Sequence, residues 1–145
     1  MHYLKRKKVI SWALYDWANS AFATTVMAGF FPLFFKSFWA ADLSPAESTA
    51  VIGTTNSLAG LFIMLLAPIL GAYSDLGKLK KKFLAFFALL GVLSTGYLYF
   101  IPQGDWVIAA SFYALAVVGF SGGNIFYDSL IVSVSKQEQR HKVSS

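Results

Sequence analysis

A short polar run inside a long apolar stretch is the part of this sequence best suited to chemistry. Asp16 is followed by Asn19 and Ser20 at spacings of three and four, so all three lie on one face of a helix. Burying a carboxylate at mid-membrane depth costs at least about 2.5 kcal/mol. We therefore expect this face either to line a polar cavity or to form a structural site that hydrogen-bonds a neighbouring helix.

Three later residues have the same character. Asn56 in the second apolar stretch and Asn124 in the fourth are lesser candidates for the same cavity. Asp128 follows Asn124 by four residues and shares a polar face with it. No Lys or Arg lies deep inside an apolar stretch, so we expect these acids to pair with hydroxyls, amides, protons, loop lysines or helices outside this chain.

The residue types that carry most enzyme chemistry are missing or confined to the ends of the chain. There is no cysteine, and the two histidines, His2 and His141, lie in the tails. The acids form no cluster with metal-ligand spacing. We therefore predict no catalytic residue, no metal site, no cofactor and no enzymatic activity.

Four apolar runs must position these polar residues. They cover 9–35, 51–73, 83–101 and 106–134. Each is close to or longer than the roughly 20 residues that cross a bilayer as a helix, and lipid offers no partner for an unpaired backbone. The sequence therefore predicts an all-α, polytopic membrane protein. Its helices are expected at about 9–36, 48–73, 83–101 and 106–134, in a single transmembrane region that covers residues 1–145.

The basic residues indicate which side of the membrane each loop occupies. Eleven of the 12 lysines and arginines lie before the first run, between the second and third, or after the fourth. The other loops carry acidic residues, with only Lys36 nearby. Because Lys and Arg in short loops mark the cytoplasmic face, both termini are predicted to be cytoplasmic, with the chain in the cell (inner) membrane. The net charge of +5 then reflects topology and anionic lipid, not nucleic acid.

Local signals refine the ends of the helices. Residues 44–47 (Ser-Pro-Ala-Glu) predict a helix start, with Ser as the N-cap and Pro in the first turn. Pro32 predicts a kink near the outer end of the first helix. Trp39 and Trp106 stand at the outer ends of their spans, where we expect indole rings to lie in the lipid headgroup layer.

A stripe of small residues follows one face of the second helix. Its members alternate steps of four and three, and they are Gly53, Ser57, Gly60, Met64, Ala67, Gly71 and Ser74. Small residues let helix backbones approach closely in lipid, where no hydrophobic force drives helices together. We predict that a helix-packing seam, not a substrate surface, is formed by Gly53, Ser57, Gly60, Ala67 and Gly71.

Three classes of function fit these patterns. The chain is part of a larger transporter, a self-sufficient four-helix protein that dimerises as a small exporter, or a non-transporting membrane scaffold. In the second class Asp16 would be the proton-coupled acid.

Several motifs resemble a known transporter family. Residues 12–22 (Trp-Ala-Leu-Tyr-Asp-Trp-Ala-Asn-Ser-Ala-Phe) and 29–32 (Gly-Phe-Phe-Pro) resemble the first-helix signature of one branch of the major facilitator superfamily. That branch includes the yeast vacuolar amino-acid effluxer and its bacterial relatives. Residues 124–130 resemble the fourth helix of the same branch, and 143–145 resemble the lead into its fifth. The resemblance favours the first of the three classes.

The resemblance implies a fold and an activity. It implies alternating-access transport of an amino acid or similar small solute, bound near the membrane midplane between two six-helix halves. It also implies that this chain is an N-terminal fragment of about four of twelve helices, inactive by itself. Its partners would be the missing helices of the same transporter, the lipid bilayer and a small-molecule substrate.

A charge relay is a further implication of the resemblance. Residues 71–82 resemble the family's signature between helices 2 and 3, in which an aspartate and basic residues form a relay. The matching positions are Gly71, Asp75 and Lys78, and we expect Asp128 to approach Lys78 or another lysine of that loop. Leu76 stands where the family has an arginine.

Overall fold

The four apolar runs form four long helices in a computed structural model of the chain. The structure describes the backbone of residues 2–75 and 79–143, and the side chains of 10, 13–73 and 79–130. We call the helices α1 (2–39), α2 (Pro45–Asp75), α3 (Lys80–Tyr97) and α4 (Trp106–Val143). The described residues include no strand. The segments long and apolar enough to cross a membrane are Ala13–Trp39, Pro45–Tyr73, Lys80–Phe100 and Trp106–Leu130. The all-α, four-span prediction is confirmed.

The loops divide the bundle into two ends. Loops 40–44 and 101–105 lie at the end predicted to be external, which we call the outer end, and the opposite end is the inner end. The start of α2 is a reciprocal capping box. The Glu47 N–H donates to Ser44 Oγ at 3.3 Å, and the Ser44 N–H donates to the Glu47 carboxylate at 2.9 Å. The helix start predicted at 44–47 is confirmed.

Helix α1 changes its helix type along its length. His2–Ala21 is α-helical, Phe22–Phe30 is π-helical, Phe31–Phe34 is α-helical and Phe35–Trp39 is π-helical. A π-helix bonds each N–H to the carbonyl five residues back, so it takes more residues per turn than an α-helix. The Phe31 N–H accordingly donates to the Val26 carbonyl. Pro32 has no N–H to donate, and it lies in the short α-helical piece between the two π segments.

The four largest fully buried side chains lie toward the outer end, where α1, α2 and α4 meet. Phe31, Phe35 and Tyr113 are fully buried there, and Trp39 is 2% exposed. The Trp39 indole N–H donates to the Ile101 carbonyl at 3.1 Å. The prediction that the Trp39 ring lies among lipid headgroups is therefore wrong, because the ring packs inside the protein and its polar atom is bonded to the backbone.

Helix α4 is the central helix of the bundle. It packs on α3 and on α2, and half of its span is buried, against 11% for the span of α1. The contact with α3 depends on Gly91 and Gly119. A methyl group at Gly119 would lie 2.5 Å from the Gly91 nitrogen and 2.7 Å from the Phe87 carbonyl oxygen. The two backbones therefore touch at a place where no side chain fits.

Candidate functional site

Three aromatic pairs join α1 to α4 from the inner end to the outer end. Tyr15 stacks on Tyr127, Phe22 on Phe120, and Phe31 on Tyr113, with ring centroids 4.7, 5.2 and 3.6 Å apart. We call this set the aromatic ladder. Stacked aromatic pairs contribute about 0.5–1.5 kcal/mol each beyond the area they bury. The ladder therefore sets how α1 is turned about its own axis, and so where its polar face points.

Two acids flank the innermost pair of the ladder. Asp16 and Asp128 are both exposed, and both lie within electrostatic range of the Tyr127 hydroxyl. The Tyr15 hydroxyl reaches α4 at Gly123, where a methyl group would lie 2.9 Å from it. Two carboxylates and two phenols thus share the inner end of the α1–α4 contact. Such a group of side chains suits the binding of a cationic group.

A cavity of about 350 Å³ lies between α1, α3 and α4. Its walls are mostly aromatic and small side chains, namely Tyr15, Ala18, Asn19, Phe22, Phe87, Ala88, Gly91, Val92, Thr95, Gly96, Ala116, Gly119 and Phe120. The Thr95 hydroxyl donates to the Gly91 carbonyl at 2.7 Å, so this polar group already has a partner. The Asn19 amide and the Tyr15 hydroxyl are the other side-chain polar groups in the wall. The lining suits a small solute that is largely apolar and carries one or two hydrogen-bonding groups.

The residues of the polar face predicted on α1 lie in different environments, and only one of them lines this cavity. Asn19 lines the cavity and is partly buried. Asp16 is outside the lining but next in the chain to Tyr15, which belongs to it. Ser20 is exposed, and its backbone carbonyl accepts the Thr24 hydroxyl at 2.9 Å. The structure therefore places Asn19 in the cavity wall and leaves Asp16 and Ser20 exposed, with Asp16 near the Tyr15–Tyr127 pair.

The two lesser candidates lie away from this cavity. Asn56 on α2 is exposed, and its side chain lies near the Tyr113 hydroxyl without meeting the distance and angle of a hydrogen bond. Asn124 on α4 is partly buried, and its side-chain oxygen is buried with no partner among the described residues. The structure thus brings neither asparagine together with Asp16 and Asn19 in one cavity.

Tyr113 is the residue that the sequence reasoning missed. Its side chain is fully buried, its ring stacks on Phe31, and its hydroxyl has no hydrogen-bond partner among the described residues. Tyr113 precedes Asn124 by 11 residues, which is about three turns of an α-helix, so the two lie on one face of α4. That spacing is the signal that could have linked Tyr113 to the polar face already identified.

The predicted charge relay falls largely outside the described residues. Lys78 and the side chain of Asp75 are not described. Gly71 faces open space, and Asp128 is exposed at the inner end. Pairing of Asp128 with Lys78 or its neighbours therefore stays a prediction.

The small-residue stripe of α2 faces away from the other described helices. A methyl group at Gly53, Gly60 or Gly71 would meet nothing within 4 Å, and Ser57 is exposed. The face of α2 that packs in the core carries Ala59 and Ile63 instead. A packing role for the seam stays a prediction, and it concerns a partner other than the helices described here. The described residues also contain no group of three His, Cys, Asp or Glu side chains able to hold a metal ion.

Comparison with known proteins identifies the family. The family model described as "Vacuole effluxer Atg22 like" matches residues 44–144. The chain belongs to this Atg22-like family. An uncharacterized MFS-type transporter of Bacillus subtilis, YxiO, is 44% identical to this Atg22-like chain over 140 residues, which are 96% of the chain and 33% of YxiO.

This chain covers a similar share of a more distant relative. An uncharacterized protein of Aquifex aeolicus is 27% identical over 132 residues, covering 89% of this Atg22-like chain and 32% of that protein. The chain thus spans about a third of the length of the curated relatives it matches. No solved structure matches it. The resemblance to the major facilitator superfamily drawn from the first-helix motif is confirmed.

Proposed function

We propose that this Atg22-like chain is part of a major facilitator-type transporter, and that the complete transporter moves a small solute across the cell membrane. The family match and the MFS-type relative support a transporter. Four apolar helices support a multi-pass membrane protein. The distribution of basic residues supports cytoplasmic termini.

One observation supports the position of the substrate site in the proposed transporter. The aromatic ladder holds α1 so that Asn19 lines the cavity between α1, α3 and α4, with Asp16 beside it. The Asp16 carboxylate suits an ammonium group, the Asn19 amide suits a carboxylate or carbonyl, and the aromatic walls suit an apolar side chain. These are the groups of an amino acid, which is the substrate class we propose.

The rest of the transporter is the partner that this proposal requires. The chain covers about a third of its relatives, and only 11% of the α1 span is buried. We therefore propose that further helices of the same transporter cover α1, and that the four described helices do not transport by themselves. A dimer of this chain that transports amino acids would contradict this part of the proposal.

Replacing Asp16 tests the site in the complete transporter. We expect Asp16→Asn to lower the rate of amino-acid uptake into proteoliposomes, measured well below the KM, by about tenfold or more, which corresponds to roughly 1.4 kcal/mol of lost substrate binding. The amide keeps the size of the side chain but removes its charge, so membrane insertion should be unchanged. Asp42→Asn, which changes an exposed carboxylate in the loop 40–44, is the matched control and should transport normally.

Two results would contradict the proposal. Wild-type rates for Asp16→Asn would reduce Asp16 to a structural residue. Failure of the unaltered transporter to move any amino acid in either direction would remove the substrate class.

A further inference from the structure

The spacing of the aromatic ladder differs between its two helices. On α4 the ladder residues Tyr113, Phe120 and Tyr127 are seven apart, or about two turns of an α-helix. On α1 the step from Tyr15 to Phe22 is also seven, but the step from Phe22 to Phe31 is nine. As an α-helix, nine residues make about two and a half turns, which would place Phe31 on the face opposite Phe22.

The π-helical segment removes this mismatch. Phe22–Phe30 covers the nine-residue step and winds it into about two turns. Phe31 therefore faces α4, and its ring stacks on that of Tyr113 with the two ring planes 4° from parallel. The local sequence permits this winding. Gly29 lies where a methyl group would be 3.3 Å from the Thr24 carbonyl, five residues back. Three consecutive β-branched residues at 24–26 lower the preference for an α-helix.

The two halves of α1 on either side of this segment are held very differently. In the outer half, Phe31 and Phe35 are fully buried and Trp39 is bonded to the Ile101 carbonyl. In the inner half, Leu14 is 58% exposed and Trp17 is 73% exposed. Turning the inner half breaks the Tyr15 and Phe22 stacks and brings Trp17 from lipid to α4. The other exposed apolar groups stay in lipid, so the cost is largely that of the two stacked pairs. The outer half is therefore the fixed part.

We propose that Phe22–Phe30 is a rotary joint in α1, which converts between π-helix and α-helix. Conversion to α-helix with the outer half fixed lengthens the segment by about 3 Å and turns the inner half by about half a turn. Positions seven and fourteen residues before Phe31 then face α4, namely Thr24 and Trp17. Trp17 takes the place of Tyr15 against Tyr127, so an aromatic pair forms at the inner end in both states.

The rotation moves the candidate site. Asp16 and Asn19 leave the α4 side of α1, and Ala18 and Ala21 take their places at the same depth. The joint itself is derived from the ladder spacing and stands without the proposed function. Only the further claim, that the joint moves the polar face of α1 toward the cavity and away from it during transport, rests on the proposed function.

Cross-linking in the full 145-residue chain tests the joint directly. The sequence has no cysteine, so each introduced pair is unambiguous. Three double variants are made in membranes and treated with a short bifunctional thiol reagent: Tyr15→Cys with Tyr127→Cys, Trp17→Cys with Tyr127→Cys, and Phe31→Cys with Tyr113→Cys. We expect all three pairs to cross-link, since the first two report the two states and the third reports the fixed outer half.

Deleting Thr24 and Thr25 is the matched control. It reduces the nine-residue step to seven, so a plain α-helix keeps the ladder and the joint is lost. We expect the 17–127 product to disappear while the 15–127 and 31–113 products remain. A second variant, with Thr24, Thr25 and Val26 all changed to Ala, favours the α-helix and should raise the ratio of 17–127 to 15–127 product.

The proposal has clear points of failure, none of which depends on transport activity. A 17–127 product that is absent from the unaltered sequence, or equally abundant after the deletion, would overturn the joint. An unchanged product ratio in the triple alanine variant would also overturn it. Loss of the 31–113 product under conditions that form the 17–127 product would show that the outer half is not fixed.

Discussion

Among single residues, Tyr113 combines the closest aromatic contact with an unsatisfied polar atom. Its ring lies 3.6 Å from that of Phe31, yet its buried hydroxyl has no partner among the described residues. A buried hydroxyl without a hydrogen bond costs about 1–3 kcal/mol. Phenylalanine would keep the stacked ring without this cost.

Replacing Tyr113 is expected to stabilise the chain, although most substitutions of buried residues destabilise a protein. We expect Tyr113→Phe to stabilise the chain by about 1 kcal/mol or more, because it removes the unpaired hydroxyl and keeps the stacked ring. Thermal unfolding in detergent measures the effect. Tyr99→Phe, at a residue 88% exposed, is the control and should change nothing. A destabilised Tyr113→Phe would mean that the hydroxyl is bonded after all, with Asn56 as its first candidate partner.

Between helices, the small residues that matter lie on α3 and α4. Gly119 meets the backbone of Gly91 and Phe87, whereas Gly60 on α2 faces open space. Backbone atoms cannot move aside as a flexible side chain does. The contact is therefore intolerant of even one added methyl group.

Two alanine substitutions compare these surfaces. In the 145-residue chain we expect Gly119→Ala to destabilise the bundle by about 1–3 kcal/mol, because α3 and α4 must separate to admit the methyl group. Gly60→Ala is the matched change and should have little effect. Thermal unfolding of the purified chain distinguishes them, and equal stability of the two variants would show that the α3–α4 contact is looser than described.

The helices show where sequence reasoning succeeds and where it stops. The four spans follow from hydropathy, and the start of α2 follows from the local pairing of Ser44 with Glu47. The seam on α2 shows the limit, since the spacing of Gly53, Gly60 and Gly71 identifies a face but not which face meets a neighbour. The π segment of α1 is invisible in α1 alone, because its length is set by the seven-residue spacing of partners on α4.

The candidate site was predictable to a similar extent. The sequence predicts Asp16 and Asn19 because polar residues in an apolar run are costly, which is a local property. The cavity beside Asn19 was not foreseen, because its walls are apolar residues of α3 and α4 that look like ordinary core. Tyr113 was missed for the same reason, since a tyrosine in a span is unremarkable until its hydroxyl proves to be buried.

For the whole molecule, the loops predict an arrangement across the membrane. The outer end carries Asp42, Glu47 and Asp105, and most basic residues lie toward the inner end. We expect reporter fusions at Leu79 and His141 to be cytoplasmic and those at Leu43 and Gly104 to be external. Paired alkaline phosphatase and fluorescent protein fusions measure this. Any one of the four on the unexpected side would remove a span and contradict the four-helix arrangement.

The ladder also has a consequence for how the protein is made. The partners in its three pairs are 82, 98 and 112 residues apart in the chain, with the outermost pair the closest. A ribosome adds about 5–20 residues per second, so α1 spends several seconds or more in the bilayer before α4 exists to receive its aromatic face. During that time α1 offers Asp16 and Asn19 to lipid or to an insertion factor. Closing the outermost loop costs only about 0.3 kcal/mol less than closing the innermost, so chain entropy favours the Phe31 pair only slightly, and the time that α1 waits for α4 matters more than the order of the pairs.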